Sequence, residues 1–463
     1  MSVARELAKS ANSLIFEDLP SDVIHQTERL VLDTLGCAIG GYESEASRVI
    51  QEVVKEFGHP EEATVFGSGL RTSCLNAALT NGAMVRYLDY NDTAFIIQGE
   101  TYRSGYHPSE VIPAILALGE RQHISGKDII TAINLGYDLS LAFLEGIIGP
   151  GIEKRGWNGD TRGAFIMPLV AGKILGLTED QMQNAVGISG SCHAVFGILD
   201  TPAEEYTMTK NIRFPMMSYA GILAAMLAQK GFTGPAGMIE GNDGFVEVIM
   251  DGNYDLDKLL RFKGKFAIRE TCIKSIIADF SAHGHLTATL NLAREHDIKP
   301  EEVAEVRITT SKRCAEHTGD PVKKYPKNKE TADHSSYYLT AIAIIDREIG
   351  PDQFTAGKYN DPKVRELIDK VVLQGDPTLD KFRPAGISEI ITKQGKKYSI
   401  RVDHPRGHAR NPMTDEEVVD KFKSMASNHM SEDHMDQVID TVFILDKLDD
   451  IGKLNRLMAF RDS

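Results

Sequence analysis

The spacing of apolar residues changes twice along this chain, and few folds accommodate that. From the N-terminus to about residue 265 the chain reads as helix after helix. After Ser21, DVIHQTERLVLDTLGCAIGG keeps helical spacing and stops at Gly40-Gly41. Ser125 with Asp128 opens DIITAINLGYDLSLAFLEGII, and Thr178 with Gln181 opens another helix directly after Gly176. Small residues crowd AGILAAMLAQKG and VGISGSCHA, which lets helix axes approach closely. ATVFGS is the one strand-like piece in this stretch. Alternation then takes over in EVAEVRITTS and in ISEIITKQGKKYSIRV, where Gln394-Gly395 suits a hairpin turn. Helix-like runs, HLTATLNLAREH and SSYYLTAIAIIDRE, lie around and between them. Helical spacing returns with the Thr414–Glu417 capping box before EEVVDKFKSMA and ends in HMDQVIDTVFILDKL, which packs most economically on the first domain. The pattern predicts a mainly α protein: a large helical domain from residues 1–269 and 406–463, and a smaller α+β domain with antiparallel strands from residues 270–405.

The bulk numbers restrict function more than fold. A chain of 463 residues exceeds one typical core. With 51 Lys and Arg against 66 Asp and Glu, the net charge of −15 argues against a nucleic-acid partner. An anionic substrate would need a local cationic pocket to overcome that field. No run approaches a membrane span, and MSVARELAKSANSL lacks the apolar core of a signal peptide. Five cysteines, far apart and without a CxxC, fit a reduced compartment, so a cytoplasmic location is expected.

Chemistry concentrates between Tyr87 and Pro108, in YLDYNDTAFIIQGETYRSGYHP. Asp89, Asp92, Thr93 and His107 share this window. A carboxylate that orients, a hydroxyl that donates and an imidazole that shuttles protons near neutral pH form an acid–base set. LDYND is equally a helix cap followed by a solvated turn. Lys210 in TMTKNIRFP, with Arg213 one turn on, could meet a carboxylate near a helix N-terminus, or lie on the surface. Lys274 stands in the apolar run ETCIKSIIAD at the expected join of the two domains, either snorkelling or serving as a cation in a cleft. In DHSSYY, Asp333 or Ser335 could cap a helix whose tyrosines enter the core. Alternatively, His334 and Tyr338, read as one turn apart, present polar heads to the cleft. His283 and His285 could line it too. HExxH, P-loop, strand-linked GxGxxG and GxSxG motifs are absent, as are cysteines at iron–sulfur spacing. What remains is acid–base chemistry by His, Lys, Asp and Tyr without metal or cofactor.

YLDYNDT, HPSEVIPAILALGE, RGWNGDTRGAFIMPLVAGKILGL, TMTK, CIKS, ETADHSSYYLTAIAIID and RGHARNPMTDEEVVDKF follow one another in the order of the MmgE/PrpD family, which this chain resembles over nearly its whole length. That family includes 2-methylcitrate dehydratases, cis-aconitate decarboxylases and an iminodisuccinate epimerase. The resemblance implies a helical domain built from both chain ends, an α+β lid, a homodimer and a cofactor-free site in the cleft, working on a small polycarboxylate. It implies dehydration of the 2-methylcitrate or citrate type, as in propionate metabolism. Decarboxylation, epimerisation and carboxylate binding without catalysis are the alternatives. By resemblance the catalytic set is Asp89, Thr93, His107, Lys210, Lys274 and Tyr338; from the residues themselves, Arg103 in the polar insert, Arg213 beside Lys210 and His334 are expected to bind substrate. The chain departs from the family pattern where Trp157 is followed by Asn158-Gly159-Asp160 rather than by a histidine at the second position. The Thr93–His107 interval is also long, and a proline is missing after Lys274. These departures predict poor use of the common family substrates and preference for a related, bulkier carboxylate.

Overall fold

The computed structural model of the chain describes residues 2–57, 60–98, 101–148 and 151–460, and for 97, 98 and 101–104 the backbone alone. Long helices build the larger body, and the predicted caps start them. Ser125 accepts from the Asp128 N–H, and Thr178 and Thr414 form capping boxes with Gln181 and Glu417. The Ser21–Gly41 helix runs through the middle, buried on most sides. Its glycines set how near its neighbours come. A Cβ on Gly36 would lie 2.8 Å from Met425, one on Gly40 2.6 Å from Leu88, and one on Gly41 2.1 Å from the Met84 carbonyl. The Asp415–Ala426 helix from the far end of the chain therefore packs on the same helix as the early Cys74–Tyr87 helix.

The lid is a four-stranded sheet with helices on it. Before it in the chain lies a hairpin of β1 (Ala94–Gln98) and β2 (Thr101–Tyr106). The lid strands are β3 (Val303–Ser311), β4 (Val371–Asp376), β5 (Gly386–Thr392) and β6 (Lys397–Val402), in the order β4-β3-β5-β6. Inward and outward residues alternate along β5, as its sequence predicts. Its buried face packs on the His283–Glu295 helix, which also meets the Ser336–Ile345 helix.

Two expectations need correction. The larger body is not all helix, because the polar stretch before His107 is the β1–β2 hairpin. The lid sheet is not wholly antiparallel, because β4 pairs parallel with β3. That strand is six residues long, lies at the edge and ends at Pro377, so it carries little periodic signal. Lid and body meet at paired crossings. Thr93 exchanges backbone bonds of 2.9 and 2.7 Å with Cys272, and the Ile273 N–H reaches the Gly407 carbonyl at 2.9 Å. Among the described residues no helix is long and apolar enough to cross a membrane.

The close approach at Gly41 gives a test. Gly41→Ala puts a methyl against the Met84 carbonyl, and overpacking of this kind costs about 1–3 kcal/mol. Urea unfolding is expected to show that loss, and an unchanged midpoint would mean that the helix contact is looser than described.

Candidate active site

The site is built on the C-terminal end of the Cys74–Tyr87 helix. Asp89, just past it, has φ of 52°, a left-handed conformation that aspartate tolerates better than most residues. This turn buries the carboxylate, which is 1% exposed. Arg86 pairs with it, Lys274 Nζ lies 2.9 Å from Oδ2, and Lys210 Nζ lies 3.6 Å from Oδ1. Burial alone would raise the Asp89 pKa, but Lys210, Lys274 and Arg86 overcome it and hold the group well below the carboxylate range. Asp333 is a second such anion. It takes Lys210 at 3.0 Å and Lys329 at 2.6 Å, and binds His334 Nδ1. Burial pulls Lys329 down to about 8 despite Asp333.

His107 stands over this floor. Its Nδ1 lies 2.6 Å from the Asp92 carbonyl, and a carbonyl only accepts, so Nδ1 carries the proton in the neutral ring. Nε2 is then the lone pair, 3.9 Å from Asp89 Oδ1, in a ring that lines the cavity. Burial, with Arg86 and Lys274 nearby, keeps the imidazole pKa well below 6.5. Asp92 is a support rather than a reactant. It accepts from Ser109 N at 3.0 Å and from the Tyr137 hydroxyl at 2.8 Å, and burial raises it to about 6. Thr93 lines the same wall and donates to the Tyr106 carbonyl at 3.1 Å.

The cavity, about 540 Å³, lies between body and lid and falls in the size range of small-molecule sites. His334 lines the lid side, with His317; Nε2 of each lies 4.0 Å from Asp279 Oδ2. Arg213 also lines it, but its charge is met by Asp200 at 2.7 Å and Asp160 at 3.2 Å. Lys323, near the Tyr206 ring, donates to the His317 carbonyl at 2.7 Å. Arg383 enters from the lid. A Cβ on Gly159 would touch only Leu144, at 3.9 Å, so the cavity is open there. A second cavity, about 620 Å³, lies behind Tyr90 and Ile349; its Arg406 is paired with Glu417, and Glu348, Asp352 and a single imidazole, His429, line it.

Several expected roles change. Lys274 has three N–H groups and three acceptors, the Asp89 carboxylate, the Asp89 carbonyl at 2.8 Å and the Ala278 carbonyl at 3.0 Å, so none is left for a ligand. Lys210 is not in the cavity wall; it bonds both oxygens of Asp333, at 3.0 and 3.3 Å, and lies 3.6 Å from Asp89. Tyr338 does not reach the cleft. Its hydroxyl donates to the Gln353 carbonyl, and its ring packs on Tyr359 inside the lid. His334 precedes the N-cap Ser335, so it and Tyr338 are not one helical turn apart. His285 bonds Ser336 at 3.0 Å, and His283 packs on Phe280. The Arg103 side chain lies outside the described residues. Sequence reading missed His317, Asp279, Lys323 and Arg383.

Asp279–His317–His334 and Asp89–Asp333–His334 each bring ligand atoms within 4.8 Å. In the second, Lys210, Lys274 and Lys329 already supply the positive charge that a metal would bring. The first faces Lys323 and Arg383 in the same cavity. Both groups suit proton handling better than a cation. The saturated lysine gives a test. Lys274→Met leaves the buried Asp89 short of a counter-charge, and breaking a buried pair this way costs about 3–5 kcal/mol. Denaturant unfolding is expected to show a loss of that size; an unchanged midpoint would show that Lys274 does not compensate Asp89.

Comparison with known proteins gives the family. Residues 5–257 match the MmgE/PrpD N-terminal domain and residues 278–445 the MmgE/PrpD C-terminal domain. The cis-aconitate decarboxylase of Aspergillus terreus is 27% identical over 98% of this chain and 96% of its own length. The cis-aconitate decarboxylase of Homo sapiens is 26% identical over 99% and 94%. The 2-methylcitrate dehydratase of Salmonella typhimurium is 24% identical over 90% and 89%. The chain belongs to the MmgE/PrpD family.

Proposed function

We propose that this protein is a cofactor-free lyase that dehydrates a small di- or tricarboxylate of the citrate or 2-methylcitrate type. One observation carries the reading: His107, its Nδ1 engaged by the Asp92 carbonyl and its Nε2 free of that bond, lines a cavity into which Arg383 and Lys323 also come. Such a nitrogen is a base for a proton on the carbon next to a carboxylate. As it takes that proton, the C–H electrons form the double bond and the β-hydroxyl leaves. The departing oxygen takes a proton from a second imidazole and goes as water. His334 suits that task, since Asp333 on Nδ1 stabilises its protonated form. Burial, then Lys210, lowers the His334 pKa in the free protein, and Asp333 and Asp89 oppose that shift by favouring the charged ring. The room beside Gly159 favours a branched or longer acid over citrate itself.

Decarboxylation of cis-aconitate is the second reading. It is favoured by relatives of that name matching 98–99% of the chain, against 90% for the dehydratase. Epimerisation would use His107 and His334 on opposite walls. Homodimeric assembly belongs to the same reading and rests on the family likeness, and a cytoplasmic location rests on the five widely spaced cysteines.

Proton NMR of the protein with citrate, 2-methylcitrate and cis-aconitate separates these cases. New vinylic signals from a hydroxy acid are expected. Loss of carbon dioxide from cis-aconitate, with the hydroxy acids untouched, would overturn the dehydration reading. His107→Ala is expected to lower kcat by about 10²–10⁴-fold with the fold intact; near-full activity would remove His107 from the mechanism. The pH profile has a defined sign. Acid protonates Nε2 and stops the base, and burial with Arg86 and Lys274 holds that pKa below 6.5, so the acid-side fall in kcat/KM is expected only below pH 6.5, after correction for substrate ionisation. A fall beginning above pH 7 would contradict the depressed imidazole.

A further inference from the structure

Arg383 differs from Arg86, Arg162 and Arg213 in the cavity wall by having no ion pair among the described residues. Arg86, Arg162 and Arg213 each meet carboxylates. Arg383 is 7% exposed, yet its Nε and Nη1 have no hydrogen-bond partner among the described residues. Its guanidinium lies 5.7 Å from the Phe95 ring of β1, across the cleft from the lid. Its backbone is clamped. A Cβ on Gly284 would lie 2.1 Å from the Pro384 carbonyl, and one on Gly386 2.5 Å from the His285 nitrogen. Burial, then the like charge of Arg313 on the same cavity, destabilises the cation by more than Asp279 restores. A buried guanidinium with idle donors is costly to the empty protein, and an arriving carboxylate removes that cost.

We infer that Arg383 is the lid-side anchor for one substrate carboxylate, and the residue by which the cavity selects polycarboxylates over monocarboxylates. This rests on the polycarboxylate reading above. A substrate held there spans from the lid to His107 on the body, so the anchor also sets which carbon faces the base.

The test uses three unreactive acids on one carbon frame: butyrate, glutarate and tricarballylate, with one, two and three carboxylates. Calorimetry gives their Kd values for the wild type, Arg383→Met and Arg383→Lys. In the wild type, affinity is expected to rise with carboxylate number. Arg383→Met is expected to weaken tricarballylate by roughly 10- to 100-fold, as for loss of a charged hydrogen bond, and to shrink the tricarballylate-to-butyrate ratio. Arg383→Lys is expected to recover part of it. Without ligand, the Tm of Arg383→Met is expected to equal or exceed that of the wild type, since an unpaired buried charge has gone. An unchanged ratio in Arg383→Met would overturn the inference, and so would a lowered Tm with the ratio intact, which marks a structural arginine. If the wild type binds none of the three acids, the polycarboxylate reading itself fails, and the inference with it.

Discussion

The ionised carboxylate of Asp89, buried under three cations, is what the rest of the structure depends on. An isolated charge at 1% exposure would neutralise itself. Arg86 from the body, Lys274 from the join and Lys210 from the turn before the Arg213–Gln229 helix keep it charged. Lys210 then continues to Asp333, which continues to Lys329 and His334 in the lid. The web therefore ties three distant stretches of chain across the domain cleft. Each buried pair contributes little net stability, because desolvation offsets attraction, but removal of any member leaves an uncompensated charge. That asymmetry makes the web a device for fixing geometry.

Its second consequence concerns the imidazole above it. Burial first, and then Arg86 and Lys274, outweigh the Asp89 carboxylate and hold the His107 pKa well below 6.5. The protein carries −15 overall, so a polyanion is attracted only locally, by the lid wall where Lys323, Arg313 and Arg383 gather. Body and lid thus divide the work: the base is on one and the cationic handholds for the substrate's carboxylates are on the other.

Local signals were legible in the sequence. The capping pairs at Ser125, Thr178 and Thr414 start helices where expected, because an N-cap is decided within four residues. The change of period marked the lid. The edge strand β4 and the β1–β2 hairpin escaped, since short strands carry too few alternations to stand out. Asp89, Thr93, His107, Lys210, Lys274, Arg213 and His334 do gather at the cleft. Which of them can reach a ligand was not legible, because saturation of Lys274 by two carbonyls and a carboxylate is a property of three dimensions. Tyr338 misled through an assumed helical turn that starts one residue too late. Arg383 sits in FRPAG, with no motif around it; a charge beside proline, just ahead of a buried strand, was its only signal.

The central claim is that His107 is a neutral base with its lone pair on Nε2. Nitrogen-15 NMR of the imidazole side chains, assigned with His107→Gln, measures this directly. At pH 7 the His107 ring is expected to show a protonated Nδ1 and a bare Nε2, and to remain so below pH 6.5. An imidazolium at pH 7, or a ring with its proton on Nε2, would contradict the account.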